Sequence, residues 1–191
     1  MANNYIISFN WNLLGEFNSP NKLQSFSELK FYQKIQYTIN CSLRDMIIKT
    51  ILSIMIGSLL SLSSINNNQP YYDLLTTENL LFICLIAPIV EELIFRLCLH
   101  NCLKHFNVAP NLRILIANIC FGLIHLSNAG IDRSTLNAIS QCVVIILVPT
   151  HGKIYELGGY GFACLSHITN NIVCIAIYLI FTIILPQIEN K

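Results

Sequence analysis

Residues 87–100 read APIVEELIFRLCLH, and they place Glu91, Glu92 and Arg96 inside a run that is otherwise apolar from about residue 80 to residue 99. Twenty or so apolar residues are what a helix needs to cross a bilayer, about 17–25 in practice. A charge at the centre of such a helix costs about 2.5–3.5 kcal/mol on insertion scales, so ionisable groups there turn toward a bundle interior and mark function. The whole chain decides between a membrane span and a soluble core helix. Its 191 residues are 54% hydrophobic and 11% charged, where soluble domains carry about 25% charged residues.

Four further apolar segments accompany it, at about 46–65, 111–127, 136–148 and 157–185. The fourth is short. The fifth is long enough to tilt, or to begin with a non-spanning piece around Gly158, Gly159 and Gly161. The predicted architecture is all-α, a multi-pass transmembrane helix bundle of about five spans. Residues 1–45 form a polar N-terminal segment, residues 46–191 the membrane-embedded domain. Within the polar segment, residues 27–39 have a serine cap and spaced apolar positions, which suits either a helix lying on the membrane surface or a soluble linker.

The N-terminus lacks the basic region, long apolar core and cleavage site of a signal peptide, so insertion is expected to fall to the internal spans. Lys22, Lys30, Lys34 and Arg44 precede the first span and the loop after it has no Lys or Arg. The positive-inside rule then puts the N-terminus in the cytoplasm, with the cytoplasmic (plasma) membrane as the expected location. A net charge of +1 provides no basic surface, so nucleic acid is not an expected partner. Of eight cysteines, Cys84, Cys98, Cys120, Cys142, Cys164 and Cys174 lie in apolar runs, and no C-x-x-C pair is present. Cysteines in that setting behave as small hydrophobes.

Helical spacing divides the charged cluster. Glu92 and Arg96 are four apart and share a face, where they form an ion pair. Glu91 points about 100° away. The third span adds Phe121 and His125 in FGLIH, the fifth His167 and Asn171 in SHITN, both again four apart. Glu91 with His125 suits deprotonation of a water that attacks an amide, and His167 with Asn171 suits donation to the resulting oxyanion. Zinc held by Glu91, His125 and His167 is the alternative, although no H-E-x-x-H helix accompanies it. A serine nucleophile has less support: there is no G-x-S-x-G, and Ser166 faces another side of its helix than His167.

Each residue also has a plainer reading. Glu92 and Arg96 suit a structural pair that orients Glu91, Phe121 a packing or substrate wall, and Asn171 a bond between helices. His100, His105 and His151 fall at span ends or in loops, where solvated roles are expected.

Taken in order, E-E-x-x-x-R (Glu91, Glu92, Arg96), F-x-x-x-H (Phe121, His125) and H-x-x-x-N (His167, Asn171) resemble the three motifs of the CAAX prenyl endopeptidase and bacteriocin-processing (CPBP, or Abi) membrane proteins. The resemblance covers about residues 79–175. It implies an intramembrane glutamate-dependent endopeptidase in which Glu91 and His125 activate water, His167 and Asn171 bind the oxyanion, and no metal cofactor takes part. The implied partners are a peptide or lipidated protein substrate, prenylated CAAX protein or leader peptide, and the lipid bilayer. One departure is that the Gly-rich helix expected before the last motif is irregular here. Two other classes stay open on sequence: a non-catalytic immunity or scaffold protein of the same fold, and a transporter or proton relay.

Overall fold

A computed structural model describes residues 26–60, 76–130 and 135–180. Residues 1–25, which hold most of the polar N-terminal segment, and 61–65, the end of the expected first span, lie outside the described residues.

Helix α1 (Phe31–Leu60) runs for 30 residues. It joins the surface helix expected at 27–39 to the first span without a break at residue 45. Its polarity is inside out: Ile47, Ile51, Ile54 and Met55 are exposed, whereas Thr38, Ser42 and Asp45 are buried. The pattern extends to the whole molecule. The largest fully buried side chains are Arg96, His100, Glu92 and Asn118, and apolar residues cover the outside. Water would not tolerate that arrangement; hydrocarbon requires it.

Helix α2 spans Thr77 to His105 as one continuous run, capped by Thr76, whose hydroxyl accepts from the Asn79 amide. It is not a regular α-helix. Two π-helical segments, Phe82–Ile86 and Leu93–His100, flank the α-helical turn Ala87–Glu92. This unwinding has a clear consequence for the buried face. In an ideal α-helix, residues four apart advance about 40° too far, so a stripe of four such positions would rotate by about 120°. The i→i+5 pattern takes that rotation out, and Pro88, Glu92, Arg96 and His100 are all buried on one side. Leu85, Ile89, Leu93 and Leu97 are left exposed for lipid.

Beyond the end of α2 at His105, Asn107 has a left-handed φ of 56°, and Pro110 then opens α3 (Pro110–Ile124), which tightens into a 3₁₀ turn at His125–Gly130. Helix α4 (Thr135–Leu147) follows, then α5 (Thr150–Gly158) and α6 (Tyr160–Leu179). Among the described residues, Pro110–Ser127, Ala138–Gly158 and Tyr160–Ile177 are long and apolar enough to cross a membrane. The remaining helices are compatible with about five spans. Helix α2 falls short of that composition because of Glu91, Glu92 and Arg96.

Two expected boundaries shift. The short fourth span, expected at 136–148, continues past Pro149 into α5, so the apolar segment reaches Gly158. Proline cannot donate to the ladder, and the chain restarts one helix from the same layer. The expected fifth span begins at Tyr160 and not at Leu157, because Gly159 has a φ of 82° and turns the chain sharply between α5 and α6. That backbone region favours glycine.

Helix α3 meets α4 through Gly122, where a methyl group would stand 2.9 Å from Ile146 Cγ1 and 3.0 Å from the Cys142 carbonyl oxygen. Small residues permit such close helix approach in membranes. Gly122→Ala is therefore expected to destabilise the bundle by about 1–3 kcal/mol through overpacking, read as a lowered Tm in detergent. An unchanged Tm would show that Ile146 can move aside.

Candidate active site

Glu91 and Glu92 end the short α-helical turn of α2, immediately before its longer π segment. The Arg96 guanidinium nitrogen Nε lies 3.2 Å from Glu92 Oε2, and both side chains are 1% exposed. The expected pair is thus present, fully removed from solvent. Glu92 also does something the sequence did not suggest: its other oxygen accepts from Nδ1 of His167 at 3.0 Å. One carboxylate joins α2 to α6.

Glu91 points away from Arg96 and is more open, at 29% side-chain exposure, with its Oε2 3.5 Å from His167 Nε2. His167 therefore stands between both glutamates. Its Nδ1–H is committed to Glu92, since a carboxylate oxygen only accepts. Nε2 is the nitrogen that faces Glu91.

The F-x-x-x-H pair enters from α3. Phe121 is 3% exposed, and its ring is the common wall of the site. The ring centroid of Phe121 lies 4.7 Å from His125 and 5.5 Å from His167, edge to face in both cases. Phe95 packs at 5.1 Å, and the Arg96 guanidinium lies over the ring at 5.5 Å. His125 begins the 3₁₀ turn and donates Nδ1–H to the Phe121 carbonyl at 2.9 Å. That bond leaves Nε2 as its lone-pair nitrogen. Glu91 faces His167, and the Phe121 ring touches both His125 and His167.

Asn171, one turn beyond His167 on α6, donates Nδ2–H to the Ile83 carbonyl at 2.8 Å. Ile83 belongs to the first π segment of α2. An amide nitrogen has two hydrogens, so this bond fixes the side chain and leaves a second donor. Among the described residues, no three His, Cys, Asp or Glu side chains are arranged to hold a metal ion, and that includes Glu91, His125 and His167.

Two histidines outside the motifs are buried and not solvated as expected. His105 is exposed as expected, but His100 and His151 are 0% and 5% exposed. His100 falls on the inward stripe of α2 and donates from Nε2 to Glu156 of α5 at 2.6 Å. Arg113 on α3 reaches the same carboxylate at 2.6 Å and the Val108 carbonyl at 2.8 Å. This cluster ties together α2, α3 and α5. His151 stacks on His167 itself, with ring centroids 4.6 Å apart and an angle of 14°. Its only signal in the sequence is Pro149: a break within the fourth span that starts a new helix with a polar residue near its N-terminus.

Ser166 is fully buried and its hydroxyl is within 2.7 Å of Ser42, so it is not presented to a substrate. None of the eight cysteines is in a disulfide.

A family model described as type II CAAX prenyl endopeptidase Rce1-like matches residues 74–185, more than half of the chain. No curated protein and no solved structure matches it.

Proposed function

The chain belongs to the Rce1-like family of type II CAAX prenyl endopeptidases, and from that premise we propose that it hydrolyses a peptide bond in a membrane-associated substrate, using water activated by Glu91. The observation that carries the reading is the meeting of three helices at His167, which takes Glu92 on Nδ1 and Glu91 on Nε2 beside the shared Phe121 wall. A purely structural ion pair would need Glu92 and Arg96 alone. Glu91 and the two imidazoles are surplus to it.

In the proposed step, Glu91 takes a proton from water while the lone pair on His125 Nε2 orients it. The hydroxide forms a bond to the carbonyl carbon, and the carbonyl π electrons move to oxygen. The proton passes from Glu91 to His167 Nε2, which then donates to the oxyanion together with the second hydrogen of Asn171. Collapse of the tetrahedral intermediate breaks the C–N bond, and the same proton goes to the departing amine. Water and peptide are converted to acid and amine with no redox partner.

The protein is an integral membrane protein. The excess of Lys and Arg before the first span supports a cytoplasmic N-terminus, and the family supports a prenylated protein or peptide as substrate. The test is incubation of purified protein in detergent or vesicles with prenylated CAAX peptides and with unprenylated leader peptides, followed by mass spectrometry. Products from the prenylated set alone are the expected result. Products from neither set would overturn the proposal.

The same assay addresses the cofactor. Cleavage is expected to persist after dialysis against a strong zinc chelator, because the proposed step routes every proton through side chains. Loss on chelation with recovery on added zinc would move the chemistry to a metal held by Glu91, His125 and His167.

A further inference from the structure

We propose that His151 is a positioning residue for His167, holding the imidazole face so that Nε2 stays directed at Glu91; the inference rests on the function proposed above. A buried chain of hydrogen bonds fixes the tautomer of His151. The Thr38 carbonyl only accepts, so Ser42 Oγ–H is spent on it, at 2.9 Å. Ser42 must then accept from Ser166, at 2.7 Å. Ser166, its one hydrogen spent, must accept from His151 Nδ1–H, at 3.0 Å. Every bond in the chain runs the same way, from α5 through α6 to α1, and it fixes which ring nitrogen of His151 carries the hydrogen.

A ring fixed in this way is a rigid platform. Thr38, Ser42, Ser166 and His151 are all nearly or fully buried, so water cannot compete for the bonds. The platform lies nearly parallel to His167 at 4.6 Å, while Glu92 holds the edge of His167 and the Phe121 ring stands at a steep angle of 77° to it. His167 is thereby located by an edge bond and a face contact. Without the face contact, rotation about its side-chain torsions would carry Nε2 off Glu91, and misplacement by about 1 Å can cost about 100-fold in rate. One imidazole thus anchors both Ser166 and its neighbour His167.

The ring and the hydrogen bond can be separated. His151→Phe keeps a stacking face and loses the bond to Ser166, whereas His151→Asn keeps a donor near the Nδ1 position and loses the face. The expected result with prenylated peptide is a kcat reduced by about 10–100-fold in His151→Asn, with KM unchanged, and recovery of part of that loss in His151→Phe, whose face is kept but no longer tied to Ser166. A substrate-independent readout accompanies it: the imidazole ¹⁵N resonances of His167, assigned through His167→Gln. They are expected to stay single in wild type and His151→Phe, and to broaden or double in His151→Asn. Unaltered kcat and resonances in His151→Asn would overturn the inference, as would a His151→Phe form equally impaired in both. Wild-type protein that cleaves nothing would overturn the proposed function, while the ¹⁵N comparison would still decide the role of His151.

Discussion

Glu91→Gln is expected to lower cleavage by about 10²–10⁴-fold, the usual contribution of a positioned general base, without reducing the amount of folded protein in the membrane. The substitution keeps the size and shape of the side chain and removes its capacity to take a proton. Structurally little depends on that capacity: Glu91 is not bonded to Arg96, retains 29% side-chain exposure and meets His167 only at 3.5 Å. The opposite outcome is well defined. If Glu91 were a second partner for the buried cation, the amide would lower Tm and leave the rate of any surviving protein intact. Initial rates by mass spectrometry, with Tm and size-exclusion profiles on the same samples, separate these cases. Full cleavage by the Glu91→Gln form would remove the glutamate from the mechanism.

Much of this site was legible in the sequence because membrane helices impose a strong filter. Ionisable residues at 91, 92, 96, 125 and 167 stand out where hydrocarbon surrounds them, and spacing by four assigned Glu92 and Arg96 to one another. What escaped the reading has two physical sources. The first is helix type. The buried stripe Pro88, Glu92, Arg96 and His100 stays on one side because Leu93–His100 is π-helical, and the winding of a helix leaves no periodic trace in eight residues. A sequence read as regular α-helix therefore left His100 at a solvated end.

The second source is tertiary. His151 follows Pro149, which reads as a terminator, and nothing local says that the chain resumes inside the bundle and lays an imidazole on His167. The bond between Ser42 and Ser166 spans 124 residues, beyond any periodicity argument. Ser166 faces another side of its helix than His167, as its spacing implies, and on that side it meets Ser42 and His151, the anchor of the neighbouring histidine.

The pair Glu92 and Arg96 allows stability and chemistry to be pulled apart. Arg96→Leu is expected to destabilise the protein by about 3–5 kcal/mol, because it leaves the Glu92 carboxylate buried without its cation. Glu92→Leu leaves a buried guanidinium and is expected to cost a similar amount. The double substitution removes both charges and fills the space with hydrocarbon, a change that is often neutral or stabilising. Tm in detergent should therefore fall in each single variant and return toward wild type in the double one. Cleavage should not return with it. Glu92 Oε1 is the partner of His167 Nδ1, and the leucine side chain offers that nitrogen no acceptor, so His167 loses the edge contact that sets Nε2 toward Glu91. A stable, inactive double variant would place Glu92 in both roles. A double variant as unstable as Arg96→Leu would mean that the guanidinium contributes chiefly by packing, against Phe121 at 5.5 Å. A stable and fully active one would reduce the bond from Glu92 to His167 to a bystander and leave the orientation of His167 to His151.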